Sequence, residues 1–157
     1  MKRILVIAAI VLALFCIIFC IIFCIFEYEE HKIAFSLGLY RYKESYSNGE
    51  FQDTTDYTIY TYSEVKLENN RYFNGITKSD ISTIYEHIDH FESVIKGIGS
   101  QDSNDDLFVN YSFDRSIIDT NDYYFLDIPD NYPKFGRYSL YILDVQTLKL
   151  YYIHHNI

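Results

Sequence analysis

Ile4 to Phe26 is a run of 23 residues without one polar side chain, while everything after it mixes short apolar stretches with acidic, tyrosine-rich ones. As a helix that run reaches about 34 Å, against a hydrocarbon core of about 30 Å. A cleaved signal peptide has a shorter apolar region of about 7–15 residues that ends in a small-x-small site. Cys24-Ile25-Phe26-Glu27 offers no such site, and cutting at Val11-Leu12-Ala13 leaves a mostly apolar end on the product. A lipoprotein signal is disfavoured by Phe15, Phe19 and Phe23, which stand before the cysteines where a small residue is needed. The pattern therefore predicts an uncleaved single-pass anchor with its partner the lipid bilayer. Lys2 and Arg3 flank its start, which places the N-terminus in the cytoplasm and the remainder outside the cell membrane.

All three cysteines lie in this run, in the repeat Phe15-Cys16-Ile17-Ile18, Phe19-Cys20-Ile21-Ile22, Phe23-Cys24-Ile25-Phe26. At 100° per residue Ala9, Ala13, Cys16, Cys20 and Cys24 fall within about 80° of arc. Such a stripe of small side chains lets two membrane helices approach closely, so it is a candidate homodimer seam. The plainer reading is that cysteine serves there as a small apolar residue. The rest of the chain has no cysteine and must stand on its apolar core.

Residues 27–56 read as a juxtamembrane stalk and linker. Phe35, Leu39, Tyr42 and Tyr46 have helical spacing, yet Ile33, Phe35, Leu37 and Leu39 also alternate as in a strand. Ser45 to Asp56 is polar, with an Asn48-Gly49 turn, and reads as a loop. Residues 57–157 read as one α+β domain. Tyr57 to Leu67 alternates as a strand, with Tyr57, Ile59, Val65 and Leu67 on one face. The turns Asn69-Asn70 and Asn74-Gly75 follow. Thr77-Lys78-Ser79-Asp80 has capping-box form, and Ile81, Ile84, Ile88, Phe91, Ile95 and Ile98 recur every three or four positions. This is an amphipathic helix, with Gly97 and Gly99 expected to end it. Leu107, Val109, Tyr111 and Phe113 alternate as a strand. Asp119 to Asp122 is a turn, and Tyr123–Ile128, Tyr138–Val145 and Leu148–His154 are strands, with Pro129–Gly136 a loop and Gln146-Thr147 a turn. One helix with strands grouped behind it predicts an antiparallel sheet with the helix packed on it.

Charge sharpens the division. Only Lys2 and Arg3 precede Glu27, so the remainder carries 11 basic against 22 acidic groups, a net of −11. A nucleic-acid partner is disfavoured, because it needs a basic stripe to replace phosphate counterions. The 17 tyrosines, with no tryptophan, offer stiff contact area with a hydrogen-bonding tip. They point to a binding surface for a protein or envelope component. An immunity or inhibitor module facing a basic toxin is an alternative of the same kind.

Catalytic and metal motifs are weak. His87 and His90 stand three apart where a zinc-protease helix has His-Glu-x-x-His, so they read as residues of a solvated face, with His87 flanking the apolar side. His154 and His155 are strand neighbours that point to opposite faces. His154, on the face of Leu148, Leu150 and Tyr152, reads as a core histidine, or as half of a pair with Asp127 or Asp144. A hydrolase built on His154, or on His87 and His90, with carboxylates is the rival from a different class. Asp102-Ser103-Asn104-Asp105-Asp106 begins like a calcium loop, but Leu107 and Phe113 stand where Gly and a bidentate Glu are needed. No residue set specifies a cofactor or a metal. Asn110-Tyr111-Ser112 is formally a glycosylation sequon, here in an expected strand.

The strings NGITKSDISTIYEHIDHFESVI, NYSFDRSIIDTNDYYFLDI and YSLYILDVQTLKLYYIHHNI, within Asn74–Ile157, resemble uncharacterised small secreted or membrane-anchored proteins of AT-rich bacteria. The resemblance implies a bacterial surface protein and carries no activity and no site.

Overall fold

The computed structural model describes residues 14–15, 17–18, 31–50, 53–101 and 104–157. The chain divides into two units, Met1–Ser36 and Leu37–Ile157. In the first, residues 14–15, 17–18 and 31–35 are helical, and Leu14, Phe15, Ile17 and Ile18 are exposed. Among the described residues no helix is long and apolar enough to cross a membrane. Most of the expected anchor, including Ala9, Ala13, Cys16, Cys20 and Cys24, lies outside the described residues.

The second unit is an α+β arrangement built on six antiparallel strands. They are β1 (Tyr40–Glu50), β2 (Asp53–Tyr62), β3 (Asn74–Gly75), β4 (Tyr123–Asp127), β5 (Arg137–Asp144) and β6 (Lys149–Asn156), in the order β1-β2-β6-β5-β4-β3. Helix α1 (Asp80–Gln101) and the short α2 (Asp106–Asn110) complete it, with a 3-10 turn at Arg115–Ile117.

The α1 periodicity does what the sequence predicts. Ile84, Ile88, Phe91 and Ile95 are buried and pack against Tyr57, Tyr138, Leu140, Ile142 and Ile153 on one face of the sheet. Asp80 reaches back to the Thr77 backbone N–H at 2.8 Å and accepts from its hydroxyl at 2.6 Å, which holds the first turn. The glycines do not end the helix, which runs through Gly97 and Gly99 to Gln101. Gly99 is instead a close approach: a Cβ there would stand 2.5 Å from the Phe108 ring of α2. The last three strands form the expected meander, β4-β5-β6, joined by the loop at 128–136 and by a turn in which Leu148 takes a positive φ of 56°.

Three expectations fail, each for a physical reason. The polar stretch Ser45–Asp56 is mostly strand, with Asn48 and Gly49 paired to Thr55 and Thr54. As β1 is the sheet's edge, its side chains need no alternation of buried apolar residues, and charged and polar ones suit an edge. Correspondingly β2 ends at Tyr62, and Val65 and Leu67 lie in the loop beyond it. The alternating Leu107–Phe113 segment opens as helix α2. The Asp105 carboxylate caps it by accepting from the Phe108 N–H at 3.1 Å, and only Leu107 of that helix is buried. The ambiguous segment 27–46 is helical at 31–35 and strand from Tyr40.

Arg115 fastens the chain after α2 to α1. Its guanidinium lies 2.6 Å from both Asp89 and Glu92, and Glu92 also accepts from the Tyr111 hydroxyl at 3.0 Å.

Candidate functional site

Strand alternation sends Tyr138, Leu140, Ile153 and His155 toward α1, and therefore Ser139 and His154 to the opposite face. The register then aligns one residue from each of five strands on that face: Ser47 of β1 opposite Asp56 of β2, Asp56 opposite His154 of β6, His154 opposite Ser139 of β5, and Ser139 opposite Asp127 of β4. With strands about 4.8 Å apart, the two carboxylates stand about 14 Å apart with the imidazole between them.

Ser139 Oγ lies 2.9 Å from His154 Nδ1, and the Ser47 hydroxyl donates to Asp56. Ser47 and Asp127 are exposed, while Asp56, His154 and Ser139 are half-buried. Burial is the largest influence on His154 and holds its imidazole below the ordinary value. Asp56 works against this, Arg137 reinforces it, and the Tyr138 carbonyl and Asp127 favour the charged ring. A hydroxyl, an imidazole and a carboxylate side by side can pass a proton along the row. The adjacent row, Ser45, Thr58, Tyr152, Tyr141 and Phe125, is largely aromatic, with Tyr152 stacked on Tyr141 at 4.7 Å.

Of the residues singled out in the sequence, His154 and Asp127 do share this row. Asp144 does not: its carboxylate accepts from Gln146 N–H, Thr147 N–H and the Thr147 hydroxyl, fixing the β5–β6 turn. Ser47, Asp56 and Ser139 were missed. They are far apart in the chain and carry no local motif, and only the register assembles them.

His87 and His90 are not on a solvated face. His87 is fully buried, and His90 stacks on Phe135 at 4.8 Å and 9° and meets the Tyr138 hydroxyl at 3.1 Å. The loop carrying Phe135 folds over that flank of α1, which helical periodicity alone does not reveal. Among the described residues no three His, Cys, Asp or Glu side chains are placed to hold a metal. In the expected calcium-like loop, Asp102 and Ser103 lie outside the described residues, and Asp105 is committed to the α2 cap and to the Asn48 amide. Asn110 of the sequon closes α2, its amide donating to the Asp106 carbonyl at 2.8 Å, so it is not in a strand.

The tyrosines are mostly interior. Among the described ones only Tyr42 and Tyr132 are exposed. Tyr57, Tyr60 and Tyr138 are fully buried, and burial raises the phenols of Tyr57 and Tyr138 well above their ordinary value. Their number therefore reflects sheet packing more than an exposed recognition patch. Comparison with known proteins returns no match: no family model fits the chain, and no curated protein or solved structure is similar to it.

Proposed function

We propose that this chain is a membrane-anchored extracytoplasmic binding domain, with its N-terminus in the cytoplasm and residues 37–157 outside. The observation that carries the reading is the uncharged run Ile4–Phe26, directly joined to a unit whose charge is strongly acidic. The likeness of Asn74–Ile157 to bacterial surface proteins supports the same location. The partner is a protein or envelope component met at the polar row of Ser47, Asp56, His154, Ser139 and Asp127, since most described tyrosines are interior. A net charge of −11 over residues 27–157 favours a basic partner, including a toxin held by an immunity or inhibitor module.

Fractionation and surface proteolysis test this directly. The full chain is expected in the membrane fraction after alkaline washing, with the domain cleaved by protease added outside. Deleting residues 2–26 should release the domain into the soluble fraction. Recovery of the full chain as soluble protein, or a domain protected from external protease, refutes the proposal.

One observation favours a second reading, a serine hydrolase: Ser139 Oγ bonds His154, beside Asp56. In that case His154 would take the Ser139 proton as the hydroxyl attacks a carbonyl carbon, then return it to the leaving group. A fluorophosphonate probe separates the two readings. Labelling of the full chain that Ser139→Ala abolishes establishes the hydrolase, and no labelling leaves binding alone.

A further inference from the structure

His87, His90 and His155 lie on the face of the sheet opposite the polar row and take no part in the function proposed above. His87 and His90 stand one turn apart on α1, and His155 comes up from β6 to meet them. The His90 and His155 rings are 5.0 Å apart. His87 packs against Tyr138 at 4.9 Å and Phe135 at 5.2 Å, and Tyr138 donates its hydroxyl proton to the His87 carbonyl at 3.1 Å. Three elements thus converge on the imidazoles: the middle of α1, the loop before β5, and the β5–β6 end of the sheet.

The site is built for neutral rings. His87 Nδ1 lies 2.8 Å from the Thr83 carbonyl and so carries its proton. His155 Nδ1 meets Thr55 Oγ1 at 3.1 Å. The Nε2 atoms of both are buried without a hydrogen-bond partner. The Lys134 carbonyl draws on His87 only outside hydrogen-bond geometry. A proton added at either Nε2 would create a buried cation whose new N–H has no acceptor.

The surrounding charges give little relief. His87 feels Lys134 and Glu86, which are paired with each other and oppose in sign. His90 faces His87, and His155 faces His90 and His154, so each protonation disfavours the next. Asp89, on the same stretch of α1, is committed to Arg115.

We propose that His87, His90 and His155 form an acid-released latch, whose protonation parts the middle of α1 and the 129–136 loop from the β5–β6 end of the sheet. Burial lowers all three imidazoles, with His155 pushed down to about 4. A folded value below the unfolded one means that the open state binds the proton more readily. The closed form is therefore fully favoured above about pH 6.5 and loses ground as pH falls below it. Opening rises about tenfold per pH unit for each histidine that takes up a proton on release. His90 recovers part of its cost as a cation over the Phe135 ring, so His87 and His155 carry most of the effect.

Hydrogen exchange on the full chain in detergent micelles, corrected for intrinsic rates, tests this between pH 7.5 and 5.0. Amides in 84–91 and 129–136 are expected to lose about tenfold or more of their protection at pH 5.0, while β1 and β2 keep theirs. His155→Gln should remove most of that response, and His87→Gln serves the same purpose if the first variant does not fold. An unchanged pattern in the unmodified chain, a uniform loss over all strands, or a full response in the folded variant overturns the latch.

Discussion

Phe91→Ala is expected to destabilise the domain by about 3–5 kcal/mol, enough to lower its thermal midpoint by 10 °C or more. Phe91 is fully buried at the centre of the α1 stripe, between Ile88 and Ile95, with the Tyr111 ring at 5.5 Å. Its neighbours are held from both sides, by sheet residues below and by the Arg115–Glu92 pair at the flank, so the space left behind cannot collapse fully. Against a total stability of about 5–15 kcal/mol, a loss of this size leaves much of the population unfolded near physiological temperature. Val109→Ala is the control. That side chain is exposed on α2 and should change stability by about 0.5 kcal/mol or less. Thermal unfolding followed by circular dichroism reads both, and a Phe91→Ala midpoint within 3 °C of the parent would contradict the packing described.

Asp122→Ala should be the most damaging polar change. The carboxylate is buried and accepts from the Val145 N–H at 3.1 Å through one oxygen and from the Asp119 N–H at 3.2 Å through the other. Its own carbonyl accepts from the Ile76 N–H at 2.9 Å, so this one residue joins the turn before β4, the end of β5 and the approach to α1. Removing it strands two donors, at about 1–3 kcal/mol each. Burial, with Asp119 and Asp144 nearby, pushes the carboxyl above its usual range. A raised value means the folded state favours the protonated form. The stabilisation it gives is thus complete below about pH 3.9 and declines as pH rises through the folded value. Asp122→Asn should fall between the parent and Asp122→Ala in stability, and should lose this part of the pH dependence. Chemical denaturation at pH 4 and pH 7 distinguishes the three proteins.

Elements that bury a stripe on their own were legible in the sequence. The isoleucines of α1 and the alternation of β5 and β6 each bury one face, and burial imposes the period that reading a sequence detects. What escaped depends on partners far along the chain. β1 is held by backbone pairing to β2 and, at an edge, shows no apolar alternation. α2 was hidden because its four alternating apolar residues imitate a strand, while the deciding contact is a single Asp105 cap. His90 looked solvent-facing on the wheel, and the loop that covers it starts some 40 residues later. The polar row shows the same limit. Asp127 and His154 could be named as chemical types, but their alignment with Asp56 and Ser139 exists only in the register.

The position of β6 has a consequence for the order of events during synthesis. It is the last strand, yet it lies between β2 and β5 and pairs with both. The β1–β2 hairpin leaves the ribosome early and must wait, one edge open, until residues 149–156 arrive to join it to the rest. Contacts spanning nearly a hundred residues close slowly, and the waiting edge is open to pairing with the wrong chain. A stop codon that removes only those eight residues therefore does more than shorten the protein. It leaves a hairpin and a half-sheet that have lost the strand between them.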